Sequence, residues 1–214
     1  MNVINHDMFA TTVSVYEPEY KVTDEEKNFL RNIKTQSGIT MSNAGQLYNS
    51  VKLSERQDII HEPELMNIKD TMMTVAQHYK EEVLGIDNEI YGCANWVAKQ
   101  TKGGSHYRHD HPNSLFGLVY YIEGSSNADL FIGLEESKSL LERSYNLGYV
   151  IKNETSMNKN AYKITPQNGQ IVCLPAWAFH GTSISKGDRL VVAWNFFLTG
   201  VLGQPPYDLS LIHI

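Results

Sequence analysis

Cysteine is scarce in this chain: Cys93 and Cys173 are the two such residues among 214. Each sits inside an apolar, strand-like run. A disulfide framework is therefore not indicated, and both read as buried core thiols in a reducing cytoplasm. Arginine is sparse as well. The five guanidinium groups (Arg31, Arg56, Arg108, Arg143, Arg189) are scattered along a chain of net charge −6. That balance does not support a basic face for a nucleic-acid backbone. No stretch approaches the ~18 apolar residues of a membrane span. The opening MNVINHDMFATTVSVYEPEY shows no basic region followed by an apolar one, so no secretory signal is read there. Missing too are G-x-S-x-G, a phosphate-binding loop and a Cys–His signature, and with them the common nucleophile and nucleotide chemistries.

What is present is an ordinary globular composition, 42% hydrophobic and 20% charged. No internal repeat or break in composition divides the chain, so residues 1–214 read as a single domain. Phe9–Tyr16 (FATTVSVY) has the β-branched and aromatic content of a strand. Thr23 and Glu26 have capping-box spacing, which predicts a helix to about Ile33. Ser42–Ser50 is polar and turn-forming, a loop. From Glu62 to Val83 apolar residues recur at steps of three and four, with Pro63 near the start and Gly85 just past the end: a helix whose methionines fill the core. Beyond Gly85 the period shortens. Ile90–Lys99, Leu115–Ile122, Ala128–Ile132, Gln170–Leu174 and Arg189–Leu198 read as strands of an antiparallel sandwich or barrel. Residues 134–160 read as a polar insertion at the sheet edge, and the segment up to about residue 88 as support for the sheet.

Chemistry concentrates in the histidines. Three of the eight, His106, His109 and His111, fall within HYRHDH, and His180 ends LPAWAFH. Residues two apart on an extended chain point to the same side, so His109 and His111 can reach one metal while Asp110 faces away. A third ligand must come from a distant stretch, and His180 can supply it. Three ligands on one face leave open positions, as in non-heme Fe(II) sites. Nine residues on, Arg189 opens RLVVAWNFFL and shares a face with Val191, Ala193 and Asn195. A guanidinium at the mouth of an apolar strand calls for an anion, which a co-substrate with a distal carboxylate would supply.

The pattern H-x-H…H-x8-R resembles the double-stranded β-helix (jelly-roll) of the Fe(II)/2-oxoglutarate-dependent oxygenases, a mainly β fold with flanking helices. MFATTVSVY, SNAGQLYNS, NWV, HDHPNSLFGLVYYI, NGQIVCLPAWAFHGT and DRLVVAWNF resemble more narrowly a 2-oxoglutarate oxygenase family of phages and marine bacteria. The resemblance implies a dioxygenase that uses Fe(II), 2-oxoglutarate and dioxygen to hydroxylate an unidentified prime substrate, a protein side chain or a small molecule. It implies His109, His111 and His180 as iron ligands. It also implies Arg189 on the far carboxylate of 2-oxoglutarate, Tyr121 touching the same group, and Asn195 lining the pocket. His111 departs from the Asp or Glu that most of the superfamily has there.

Plainer readings stand beside these. His6, His61, His78 and His213 read as ordinary polar residues, His106 as a partner behind the ligands or, by preference, exposed loop, and Trp96 as core or pocket. Arg189 could instead pair with Glu135, Glu136 or Glu142. The chain could be a jelly-roll binding protein or phage assembly component without turnover, or a cupin-like three-histidine dioxygenase that needs no keto acid.

Overall fold

The computed structural model describes residues 11–37, 51–133, 150–155, 158–159, 161–202 and 209–210. The expected loop Ser42–Ser50 and most of the 134–160 insertion, including Glu135, Glu136 and Glu142, lie outside the described residues.

Among the described residues the chain opens on a short strand and goes on to supply two α-helices. Phe9 and Ala10 of the strand expected over Phe9–Tyr16 lie outside the described residues, and of the rest β1 (Ser14–Tyr16) is strand. Helix α1 (Asp24–Asn32) begins at the capping box read from the sequence. Thr23 Oγ1 accepts from the Glu26 amide at 3.2 Å and Glu26 Oε2 from the Thr23 amide at 2.8 Å, satisfying two free helix-end donors. The same carboxylate accepts from Tyr20 Oη at 2.5 Å, which explains how Glu26 can be buried. Helix α2 (Met66–His78) follows a 3-10 turn at Pro63–Leu65 and continues into a π turn at Tyr79–Val83. Ile68, Met72, Val75, Ala76 and Tyr79 form its buried stripe. The methionine expectation holds for Met72 but not for Met66, which is 57% exposed because it starts the helix on the opposite side.

Apart from 3-10 turns at Ile59–His61 and Ser125–Asn127, the remaining described elements are strands: β2 (Thr35–Ser37), β3 (Val51–Ser54), β4 (Ile90–Gln100), β5 (Phe116–Glu123), β6 (Leu130–Gly133), β7 (Ala161–Ile164), β8 (Ile171–Pro175), β9 (Phe179–Thr182), β10 (Arg189–Leu198), β11 (Val201–Leu202) and β12 (Leu209–Ser210). Among the described residues seven form one sheet in the order β1-β8-β5-β10-β4-β3-β2, and three form a second in the order β7-β6-β9. Every pairing within these two sheets is antiparallel. The architecture is the jelly-roll.

Alternation along the strands sorts side chains between two cores. Phe116, Leu118, Tyr120 and Ile122 of β5, with Leu190, Val192, Trp194 and Phe196 of β10, face the helices. Val119, Tyr121 and Val191 face the small sheet, where Leu130, Ile132 and Ile164 meet them. The adjacent tyrosines 120 and 121 thus point to opposite sides of one strand, and Tyr121 points between the sheets. Cys173 is buried as expected, but Cys93 is exposed. Between Asn95 and Gly92 the β4 strand carries one residue more than β10 does between Trp194 and Phe196, a bulge that breaks the alternation and turns Cys93 outward. No described helix is long and apolar enough to cross a membrane.

The capping box makes a direct prediction. Thr23→Ala removes the side-chain cap and should cost about 1 kcal/mol. For a chain of this size that lowers the thermal midpoint by about 2–4 °C, readable by calorimetry. An unchanged midpoint would show that packing alone starts the helix.

Candidate metal centre

Two stretches far apart in sequence meet at the edge of the small sheet. His109 and His180 exchange both backbone hydrogen bonds, each 2.9 Å, and Thr182 N donates to His106 O at 2.9 Å. Segment 106–109 therefore lies along β9 as an extra, irregular edge. The approach is close enough to require glycine after His180: a Cβ on Gly181 would lie 2.8 Å from His106 O and 3.0 Å from Arg108 N. The segment ends at His111, whose amide donates to Ala176 O at 2.9 Å. Pro112 disfavours a helical backbone at His111 and helps keep it extended. His109 and His111 are thus brought to one side without belonging to a ladder strand, and Asp110 between them is exposed.

The ligand nitrogens of His109, His111 and His180 all lie within 4.8 Å of one another. Their second nitrogens are occupied by oxygen acceptors. His109 Nδ1 donates to Tyr107 O at 2.9 Å, His180 Nδ1 to Ala178 O at 2.8 Å, and His111 Nδ1 to Asn195 Oδ1 at 2.6 Å. With the proton on Nδ1, each Nε2 presents a lone pair. His111 Nε2 and His180 Nε2 stand 3.1 Å apart, two acceptors with no proton between them. A shared cation resolves that repulsion. Two metal–nitrogen bonds of about 2.1 Å at a right angle would place their nitrogens roughly 3 Å apart. The donor set fits a divalent transition metal.

Arg189 lines the same cavity and is buried. Nη1 donates to Gln100 Oε1 at 3.0 Å, and the guanidinium stands 5.0 Å from the centre of the Tyr121 ring. Arg189 Nε and the Tyr121 hydroxyl have no hydrogen-bond partner among the described residues. Arg189 also forms no ion pair there. A buried cation and a hydroxyl, both short of partners, call for an anion. The cavity has about 510 Å³ of empty space, part of it open to solvent.

Asn195 takes a different position from the one expected. It is absent from the cavity lining, and its amide oxygen serves His111 instead. Trp96 does line the cavity, tilted against His111 with ring centres 5.5 Å apart. His106 corrects the exposed-loop reading. Its ring stacks on His109 at 4.3 Å and lines the cavity between the imidazoles and Arg189. Gln100 and Thr182 were not singled out in the sequence. Gln100 shares the face of Trp96 and Ala98 on β4, and Thr182 follows His180 by two on β9, so alternation alone points both inward. His61 and His78 stay outside the cluster.

Among the described residues no carboxylate lines the cavity. Burial, and after it the charges of neighbouring imidazoles, hold His111 down to about 4. His106 and His180 are pushed well below the ordinary histidine range for the same reasons, and burial lowers His109. Four neutral imidazoles around one cavity have a consequence for stability. In the unfolded chain they protonate near 6.5, whereas in the metal-free fold they do so only at lower pH. Between those values the unfolded state binds more protons. Stability is therefore complete above 6.5 and falls as pH drops toward about 4. Melting curves of metal-free protein across that window should show a falling midpoint, with a shallower slope in His111→Asn. A flat profile would contradict the buried, neutral assignment.

Residues 94–195 match the family model described as "Putative 2OG-Fe(II) oxygenase". Three solved structures share the architecture. HygX from Streptomyces hygroscopicus, with nickel and 2-oxoglutarate bound, matches at TM-score 0.55 and 12% identity, over 88% of this chain and 84% of that one. A Pseudomonas putida prolyl-4-hydroxylase matches at 0.55 and 11%, over 89% and 94%. A Trichoplax adhaerens prolyl hydroxylase, in complex with a hypoxia inducible factor peptide fragment, matches at 0.58 and 11%, over 86% and 83%. At these identities the likeness shows the fold. No curated protein sequence matches the chain. The matched segment runs from Ala94 to Asn195 and contains the three converging imidazoles and the guanidinium. Over that segment this chain is similar to the 2OG-Fe(II) oxygenases.

Proposed function

We propose that His109, His111 and His180 hold Fe(II), and that Arg189 and Tyr121 hold the far carboxylate of 2-oxoglutarate, in a dioxygenase that oxidises a protein side chain or a small molecule. One observation carries the reading. Three imidazoles with their Nδ1 protons already committed turn their remaining nitrogens toward one another. They do so in a cavity whose other polar end holds a guanidinium Nε and a hydroxyl without partners.

When bound, iron supplies the redox chemistry that couples decarboxylation of 2-oxoglutarate to oxidation of the prime substrate by dioxygen. The protein's own groups bind, orient and exclude water. The Nδ1 hydrogen bonds fix three rings before any ligand arrives, so little ordering is left to occur on binding. Arg189 can offer its free Nε–H and the Tyr121 hydroxyl its proton to one carboxylate, a charge-assisted clamp. Gln100 keeps the guanidinium in place by accepting from Nη1. Val191, Ala193, Val119 and Leu130 give the cavity an apolar lining. The three ligands are neutral, so the centre carries one more positive charge than a site with two histidines and one carboxylate. That charge favours a dianionic co-substrate.

Anaerobic titration of metal-free protein with Fe(II), then 2-oxoglutarate, should produce a visible charge-transfer band, and aerobic incubation with a suitable acceptor should yield succinate. His180→Ala should lose the iron. Arg189→Ala should keep the iron and bind 2-oxoglutarate about 10- to 100-fold more weakly, the value of a charged hydrogen bond. Full iron stoichiometry in His180→Ala, or unchanged co-substrate affinity in Arg189→Ala, would overturn the assignment of that residue.

A further inference from the structure

Each of the three imidazoles needs an oxygen on Nδ1 to leave Nε2 free, and two of them find it locally. His109 uses the carbonyl of Tyr107 and His180 that of Ala178, in each case two residues earlier. The equivalent carbonyl for His111 is that of His109, and it already accepts from His180 N at 2.9 Å. His111 does not use a local acceptor. Its partner comes from another strand, 84 residues away: Asn195 Oδ1 at 2.6 Å.

Two further features converge on this contact. The β4–β10 register slips between Trp194 and Phe196, so Asn195 sits at the bulge, where a side chain can be re-aimed. Across the other ladder its partner is Gly117. A Cβ there would lie 2.9 Å from Asn195 Oδ1 and 3.7 Å from His111 Nδ1. Strand β5 thus leaves a gap where the carboxamide and the imidazole meet.

We propose that Asn195 is the positioning residue that makes His111 a metal ligand, by holding its imidazole in the Nδ1–H tautomer. The assignment rests on the reading of His109, His111 and His180 as the metal site. It gives a physical account of how a neutral ring serves where most of the superfamily has a carboxylate. A ligating carboxylate carries its own charge, whereas an imidazole has two nitrogens and must be told which one to present. Asn195 does so without adding charge. An aspartate in its place would direct the same proton while making the ring a stronger donor.

The test uses the full chain with Co(II) as probe, followed in the visible spectrum, and long-range nitrogen–proton NMR of the histidine rings in metal-free protein. Asn195→Leu should shift His111 away from the Nδ1–H tautomer and weaken Co(II) binding about 10- to 100-fold. Gly117→Ala, which leaves Asn195 in the chain but crowds its amide, should shift both readouts the same way. Asn195→Asp should keep the tautomer and bind Co(II) at least as tightly as the wild type. Wild-type tautomer and affinity in both Asn195→Leu and Gly117→Ala would overturn the assignment, as would an Asn195→Asp protein as weak as Asn195→Leu, which would mean that shape rather than the acceptor matters. A wild-type protein that takes up no Co(II) would instead overturn the metal reading underneath.

Discussion

Two lone pairs 3.1 Å apart, on His111 and His180, with no proton to share, form the contact on which the rest of the site depends. It exists because the other nitrogen of each ring is committed to an oxygen. A polypeptide does not hold such a pair without compensation, since each buried acceptor left unmatched costs on the order of 1–3 kcal/mol. Read chemically, the fold stores a position for a cation. The neutral state of the rings, enforced by burial and by mutual repulsion, is the state in which they can bind one.

The jelly-roll supplies this arrangement by simple means. One antiparallel pairing lays residues 106–109 along β9, and Gly181 permits the close approach. The alternation of β5, β8 and β10 sends one set of side chains to the helices and the other between the sheets. Tyr121, Val191 and Arg189 end up in the cavity, while Tyr120, Val192 and Leu190 support it from behind. The helices do not touch the chemistry. They cover the far face of the large sheet and keep its strands buried on both sides.

Much of this was legible in the sequence because it rests on periodicity. The capping box at Thr23, the stripe of α2, and strands β4, β5 and β10 follow from spacing that local physics enforces. So does the shared orientation of His109 and His111. The short strands β2, β3, β7 and β9 were hidden because three or four residues carry too little pattern, and THR-GLN-SER or Phe-His-Gly-Thr has no strand signature of its own. Cys93 and Asn195 were misjudged for one reason. The bulge between them breaks alternation, and nothing in either strand's composition announces it. His106 was misjudged because its burial comes from stacking on His109 and from the packing of β9, both tertiary effects. Gln100 and Thr182 could have been found by counting in twos from Trp96 and His180.

The most direct measurement is a crystal structure of the protein loaded anaerobically with Fe(II) and 2-oxoglutarate, with anomalous diffraction at the iron edge. The account predicts one iron peak bonded to nitrogens of His109, His111 and His180, with the distal carboxylate of the keto acid on Arg189. An iron peak elsewhere, or one that His180 does not touch, would contradict it.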